Sequence, residues 1–418
     1  MFQVLSRSWA LLLGMMFLMV GNGLQGTLLG IRGDIEGFST FEMSVVMSAY
    51  FAGFLGGSKI APDLIRRVGH VRVFAALASF ISAILILYPM FAHPVAWALG
   101  RVAIGFCFSG VYVTAESWLN NSADNTNRGK ALSMYMIVQM IGIVSAQAIL
   151  AIGDASGYIL FIIASVLVSI SFAPILLSIS PTPAFETAKP MPLKTLIATS
   201  PLGCFGMFAL GGVFSAQFGM SAVYGTSAGL TVTQISLFVS SIYVGALLMQ
   251  YPIGWFSDRV DRRLVILLVA ALGGIAALFA LLNSQYFIMI LCAGFIMGGT
   301  SNPLYSLLIA YTNDYLEADD MAAASGGLVF IGGVGAIAGP LIIGWMMDQY
   351  GAQAFFMVIS VLMTGLAIYA GFRMTQSSRE GIDDAAYTPV MPSSTMVAVE
   401  VASEFDIETA LLDEINDT

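Results

Sequence analysis

The chain is a succession of long apolar stretches separated by short polar ones. Twelve of these stretches reach the roughly 20 residues that a helix needs to cross a bilayer. They predict membrane-spanning helices at residues 9–31, 43–63, 72–91, 95–119, 130–152, 157–179, 197–224, 232–255, 264–282, 286–312, 321–347 and 352–373. The longest polar break follows the sixth stretch and is rich in proline. We therefore predict an all-α integral membrane protein with a six-helix half at residues 1–180, a cytoplasmic linker at 181–196 and a second six-helix half at 197–373.

The composition supports a membrane protein. The chain is 58% hydrophobic and only 10% charged, and its mean hydropathy is +0.87. A soluble domain usually has about 25% charged residues. We expect a multi-pass protein whose apolar surface faces the lipid bilayer, in the plasma membrane (the inner membrane of a bacterium).

Basic residues predict the orientation. If the N-terminus is cytoplasmic, fourteen of the sixteen lysines and arginines fall on the cytoplasmic side, and only Arg32 and Arg101 do not. Positive charge is enriched in the cytoplasmic loops of membrane proteins. Both termini are therefore expected inside the cell.

The net charge of −9 comes from the end of the chain. From Thr375 onwards there are ten acidic residues and one basic residue, so the remaining body is neutral. A polar, acidic segment with few aromatic residues cannot bury enough surface to offset its chain entropy. We expect residues 374–418 to be a disordered cytoplasmic tail, and we expect no nucleic-acid partner.

The two halves repeat one another. A shift of 192 residues aligns Gln25 with Gln217, residues 37–39 with 229–231, Glu42 with Gln234, and Arg67 with Arg259. Six spans separate the copies, and an even number leaves both copies with the same direction across the membrane. This is a parallel repeat.

Several motifs resemble the major facilitator superfamily. Residues 254–263, GWFSDRVDRR, are similar to that family's signature loop, and residues 100–105 are similar to its fourth-helix pattern R-x-x-x-G. Residues 36–39 and 116–120 resemble the YcaD-type branch of its transporters. The resemblance implies a secondary active transporter that works by alternating access. It also implies a gating network at the ends of the helices. To gating or coupling we assign Asp63, Arg67, Glu116, Asp258, Arg259, Arg262 and Arg263. The alternative for the charges of the second-half loop is that they only set the topology.

Polar residues within spans are costly and are candidates for function. In helix 1, Asn22, Gln25 and Arg32 share one face, and in helix 7 so do Gln217, Ser221 and Tyr224. We predict that both faces line a central substrate site. The alternative is plain hydrogen bonding between helices, which needs no substrate.

Arg101, Tyr112 and Glu116 share one face of the fourth span. Arg101 is predicted to bind an anionic group of the substrate; otherwise it is a structural arginine. Glu116 either pairs with Arg66, Arg67 or Arg72 as a gate latch, or carries a proton. Tyr112 is predicted to contact the substrate.

These features favour a secondary transporter for a small organic solute, coupled to protons, with an anionic substrate. The alternatives are a sugar or drug transporter of the same fold, or a membrane receptor that transports nothing.

The sequence has no P-loop, and His70 and His93 are isolated, so we expect no enzyme, no catalytic residues, no cofactor and no metal site. A monomer is expected. The direction of transport stays open.

Overall fold

The computed structural model describes residues 2–122, 128–177, 191–316, 318–376 and 387–399. Long helices account for nearly all of them. The helices are α1 (Phe2–Ile35), α2 (Thr40–Val68), α3 (His70–Met90), α4 (Pro94–Ser122), α5 (Arg128–Ile152), α6 (Ile159–Ser171), α7 (Ala173–Leu177), α8 (Leu193–Thr199), α9 (Pro201–Ser215), α10 (Ser221–Ser227), α11 (Val232–Ser257), α12 (Arg262–Leu282), α13 (Phe287–Asn313), α14 (Ala318–Tyr350) and α15 (Ala354–Gln376). A π-helical turn, Ala216–Met220, joins α9 to α10.

Eleven helical segments in the described ranges are long and apolar enough to span a membrane. Two of these segments consist of more than one helix. One combines α6 and α7, and the other combines α9, the π-turn and α10. The twelfth predicted span, α2, is less apolar, but its 29 residues extend about 43 Å. It packs along the spanning helix α4, where Gly53 meets Val102 and Gly57 meets Phe106. The predicted all-α membrane fold is confirmed.

The two halves share one packing scheme. In the first half α1 packs on α5, α2 on α4, and α3 on α4 and α6. Their counterparts in the second half pair in the same way: α9 packs on α14, α11 on α13, and α12 on α13 and α15. The parallel repeat seen in the sequence is therefore also a repeat of helix neighbours.

The turn that starts the second helix of each half is reproduced in detail. Gly37 and Gly229 have φ angles of 78° and 73°, which glycine adopts without the steric cost of a Cβ atom. Each turn leads into a capping box. Ser39 with Glu42 caps α2, and Thr231 with Gln234 caps α11.

Close helix crossings are repeated as well. A Cβ atom on Gly53 would overlap the carbonyl of Val102, and one on Gly245 would overlap the carbonyl of Phe295. Small residues allow the backbones of membrane helices to approach this closely. The α2–α4 and α11–α13 crossings therefore depend on glycine.

The bundle has two distinct ends. The basic end is where α2 meets α3, next to Arg66, Arg67 and Arg72; the distal end is where α1 meets α2. Towards the distal end the halves touch directly. The Ser48 hydroxyl donates to the Ile337 carbonyl at 2.6 Å, and Gly30 packs on Ala222.

The end of the chain differs from the sequence prediction. Residues 387–399, which we call the C-terminal segment, pack between the two halves, whereas a disordered tail was expected. Val390, Met391, Thr395 and Val399 are at most 4% exposed. The prediction used the average composition of the tail, which is acidic. It therefore missed this apolar stretch, which contains no charged residue. Residues 374–376 belong to α15, and 377–386 and 400–418 lie outside the described residues.

The predicted linker is only partly described. Residues 181–190 lie outside the described ranges, and Leu193–Thr199 forms α8. The α8 helix leads through Ser200 directly into α9.

Candidate solute site

A cavity lies between the halves at the centre of the bundle. Its walls are mostly aromatic. The rings are those of Tyr50, Phe51, Phe54, Tyr112, Phe214, Phe218, Tyr243 and Tyr305. Residues 391–394 of the C-terminal segment also line it. Such a chamber, apolar with a few polar groups, is typical of sites for small organic molecules.

Two of the predicted substrate residues line this cavity. The Asn22 Nδ2 donates to the Tyr112 hydroxyl at 3.2 Å, and that hydroxyl contacts the Met19 sulfur at 3.4 Å. Within the described residues the Asn22 Oδ1 has no hydrogen-bond partner. It is thus an acceptor available at the cavity wall.

Arg101 and Gln25 form a pair immediately behind this wall. Arg101 is completely buried, and its NH1 donates to the Gln25 Oε1 at 3.1 Å. Its other contacts are the Met47 sulfur, 3.3 Å from NH2, and the Tyr50 ring, whose centroid lies 4.7 Å from the guanidinium carbon. No carboxylate of the described residues lies within 4 Å of it, and its Nε has no partner there. Tyr50 separates this buried cation from the cavity.

Gln217 lies on the π-helical turn. Its Oε1 accepts a hydrogen bond from Ser301 at 2.9 Å, and its Nε2 is without a partner among the described residues. Single π-turns often occur at functional sites. Sequence reasoning found Gln217 through the repeat but missed both the π-turn and Ser301, which has no distinctive sequence signal.

The other predicted substrate residues lie elsewhere. Ser221 donates to the carbonyl of Gln217 in its own helix, and Tyr224 stacks on Phe355 at 5.0 Å. The prediction assumed a regular helix, but a π-turn adds about one residue per turn and rotates everything after it off the shared face. At the distal end, Arg32 pairs with Glu36 at 2.6 Å and donates to carbonyls near Ser156.

The second-half loop forms an ion-pair network. Arg262 pairs with Asp314, and both side chains are at most 1% exposed. Asp261 caps the start of α12 and pairs with Arg263 at 3.1 Å. Asp314, 52 positions along the chain, was not predicted, because nothing in the local sequence links it to this loop.

The remaining gate candidates are more exposed. Asp63 pairs with Arg66, although the two side chains are 59% and 52% exposed, and Arg67 is exposed too. Arg259 lies over the Trp255 ring at 4.1 Å. Asp258 accepts a hydrogen bond from the Tyr387 backbone at 3.1 Å. Partial desolvation raises the pKa of the Asp258 carboxyl, although the Tyr387 N–H and the charges of Arg262 and Arg259 oppose the shift.

Among the described contacts, Glu116 pairs with a hydroxyl and a backbone N–H rather than with an arginine. Its carboxylate is buried and accepts hydrogen bonds from the Thr395 hydroxyl and from the Thr395 backbone N–H at 3.1 Å. The predicted latch to Arg66, Arg67 or Arg72 is absent from the described contacts. The partner of Glu116 is Thr395 of the C-terminal segment, a contact that the sequence analysis did not predict.

The comparisons with known proteins agree with this architecture. The sequence profile of the Major Facilitator Superfamily matches residues 11–230 and 202–394. The chain is 25% identical to the "Uncharacterized MFS-type transporter YE1530" of Yersinia enterocolitica and 27% identical to the "Uncharacterized MFS-type transporter YcaD" of Escherichia coli O139:H28. Each match covers 84% of this chain and 91% of the relative.

Among solved structures, the nucleoside transporter NupG (D323A mutant) superposes with a TM-score of 0.75 at 14% identity, over 88% of this chain and 99% of that chain. At that identity the likeness concerns the fold alone. The resemblance to YcaD-type transporters is confirmed by the relatives of that name. With its sequence profile, helix arrangement and central cavity in agreement, the chain belongs to the Major Facilitator Superfamily.

Proposed function

We propose that this protein is a secondary active transporter that moves a small organic anion across the bacterial inner membrane by alternating access. The observation that carries the proposal is Arg101, a buried guanidinium whose described partners are all neutral, next to an aromatic cavity. The basic end is assigned to the cytoplasm because positive charge accumulates there.

A buried charge without a counter-charge is costly. Gln25, Met47 and Tyr50 offset only part of that cost, since none of them is an anion. A carboxylate or phosphate on the solute would supply the missing charge, and the guanidinium fork binds such groups through two parallel hydrogen bonds. Arg101 thus favours an anionic solute over a neutral one.

The rest of the site suits an organic body attached to that anion. Aromatic rings line the cavity, and the Asn22 Oδ1, which has no hydrogen-bond partner among the described residues, lies at its wall. Since Tyr50 lies between the cavity and Arg101, the solute reaches the cation when this ring turns aside.

Transport by this fold requires the halves to rock about the site. The distal contacts of Ser48 and Gly30 then separate as the basic end closes. We include proton coupling in the proposal, with Glu116 as the carrier, because it is a buried carboxylate of α4 whose partner in the described structure is the neutral Thr395. The sequence has no nucleotide-binding P-loop, which favours a gradient as the energy source.

Uptake into proteoliposomes tests the anion proposal. A panel of aromatic and aliphatic carboxylates and phosphates is compared with the corresponding neutral amides and alcohols. The variant Gln25→Glu places a carboxylate next to Arg101. This carboxylate supplies the missing counter-charge, so we expect the chain to fold. Because Arg101 is then already paired, uptake of the anion should fall about tenfold or more. Gln217→Glu is the matched control, because the partner of the Gln217 side-chain oxygen is the neutral Ser301 hydroxyl and not a guanidinium. Equal uptake in wild type and Gln25→Glu, or uptake of neutral analogues alone, would refute the anion proposal.

Proton coupling has its own test. We expect an imposed pH gradient to drive uptake in the wild type and to have no effect in Glu116→Gln. Uptake that persists after both the proton gradient and the membrane potential are abolished contradicts secondary transport.

A further inference from the structure

The C-terminal segment is hydrogen-bonded to both halves at the basic end. In the first half, Glu116 on α4 binds the hydroxyl and backbone N–H of Thr395. In the second half, the Val390 N–H donates to the Ser306 hydroxyl at 2.8 Å, and that hydroxyl donates back to the Val390 carbonyl at 3.0 Å. Residues from α4 and α13 are thereby linked through one short stretch of chain.

Tyr387 adds a second attachment to the second half. Its hydroxyl accepts from the Gln250 Nε2 at 2.7 Å, and its backbone N–H donates to Asp258 at 3.1 Å. Its ring packs against Gly254, where a Cβ atom would overlap it. Three separate points therefore hold this end of the segment to α11 and the loop that follows it.

The segment is also packed like part of the core. Met391 is 3% exposed and forms an apolar cluster with Met136 and Met140 of α5 and Ala246 of α11. These helices belong to different halves. Ser393 and Ser394 form part of the cavity wall, so the segment lies across the route from the cavity to the basic end.

We propose that residues 387–399 are a built-in inhibitory segment, which closes the cavity at its basic end and fixes the two halves relative to each other until it is displaced. Alternating access brings the halves together at this end as the distal contacts separate, and a segment that lies between the halves and is bonded to both has to leave before they can move. Its contact with Glu116 also occupies the carboxylate assigned to proton coupling. The inference rests on the proposed transport function for its physiological meaning, although closure of the cavity can be measured without transport.

Charge and composition explain why the segment suits this place. Residues 387–399 contain no charged side chain, whereas ten acidic residues are distributed over the tail around it. An apolar stretch with hydroxyl groups can enter the protein interior and donate to Glu116.

Two truncations provide the test and its matched control. One chain ends after Gln376 and lacks the segment, and the other ends after Val399 and keeps it. Both carry Val329→Cys, a cavity-lining position on α14, in a background whose three native cysteines are serine. A membrane-impermeant maleimide is applied from the basic end in proteoliposomes, and the solute flux is measured in parallel.

We expect the chain that ends after Gln376 to be alkylated about tenfold faster or more than the full chain, the change expected when one hydrogen bond to a buried charge is lost. Its flux should rise as well. The chain that ends after Val399 should match the full chain in both measurements. A synthetic peptide of residues 387–399 should slow alkylation of the shorter chain again.

A full-length variant keeps the test valid if the shorter chain does not fold. Thr395→Val removes the hydroxyl donor to Glu116 and should raise the alkylation rate severalfold. Alkylation rates that are the same in the full chain, in Thr395→Val and in the chain that ends after Gln376 would overturn the inference. If alkylation changes as expected but no variant shows flux of any tested anion, the proposed substrate is wrong and the inhibitory segment stands.

Discussion

Gln25 and Gln217 occupy equivalent positions in the two halves but bind different partners. The Gln25 side-chain oxygen accepts from the Arg101 guanidinium at 3.1 Å, and that of Gln217 accepts from the Ser301 hydroxyl at 2.9 Å. In each case the amide nitrogen has no hydrogen-bond partner within the described residues. The repeat therefore offers two amide donors, one next to a charge and one next to a neutral group.

This difference predicts unequal losses of stability. Gln25→Leu removes a hydrogen bond to a charged group, which should lower the free energy of unfolding by about 1.5–3 kcal/mol. Gln217→Leu removes a neutral hydrogen bond and should lower it by about 1 kcal/mol. Denaturant unfolding in detergent micelles measures both. Equal losses would mean that the Gln25–Arg101 contact carries no extra energy from the charge.

The Arg262–Asp314 pair should be essential for stability. Removing one partner of a buried ion pair leaves an uncompensated charge and costs about 3–5 kcal/mol. We therefore expect Asp314→Asn to lower the unfolding midpoint strongly. Asp63→Asn is the control, because the Asp63–Arg66 pair is more than half exposed and such pairs contribute about 0–1 kcal/mol. Similar midpoints for the two variants would contradict the burial argument.

The repeated glycine crossings should not tolerate a methyl group. Gly53→Ala and Gly245→Ala each push a Cβ atom into a backbone carbonyl of the neighbouring helix, which cannot move aside like a side chain. Overpacking of this kind costs about 1–3 kcal/mol, and occasionally more. Gly326→Ala is the control, since no atom lies within 4 Å of the added methyl group. Thermal unfolding should rank the control close to the wild type and the other two well below it.

Asp258 should make stability depend on pH. Since partial desolvation raises its pKa in the folded chain, the folded state holds the proton more tightly than the unfolded state does. Its contribution to stability is therefore present below the ordinary pKa of 3.8 and is lost as pH rises through the folded value. Asp258→Asn should remove that decline.

Asp154 serves as the control for this prediction, because its pKa is shifted in the opposite direction. Hydrogen bonds from Ser156 lower the pKa of Asp154, so its contribution is present above the ordinary value and is lost as pH falls through the folded one. Unfolding midpoints measured across mildly acidic pH distinguish the two. An unchanged pH profile in Asp258→Asn would show that its carboxyl is not desolvated.

Hydropathy and the internal repeat were sufficient to predict the fold. The bilayer constrains the length of each spanning helix, and the two halves have the same helix caps and the same close helix crossings. The same logic placed Asn22, Tyr112, Gln25 and Arg101 at or next to the cavity. Ser221 and Tyr224, which were predicted on the same face as Gln217, lie outside the cavity lining, and the π-turn that precedes them cannot be recognised from residue spacing. Asp314 and Thr395 were missed because they act through contacts that are distant in the sequence.

The position of the C-terminal segment in the chain has a consequence for biogenesis. Translation proceeds from the N-terminus, so residues 387–399 leave the ribosome after α15 and after every helix that forms the cavity. Under the proposed inhibitory role, closure of the basic end therefore comes after the helices that form the cavity have been made. On that proposal, a chain whose synthesis stops just past α15 would be inserted without its inhibitor and would transport its solute from the moment of insertion.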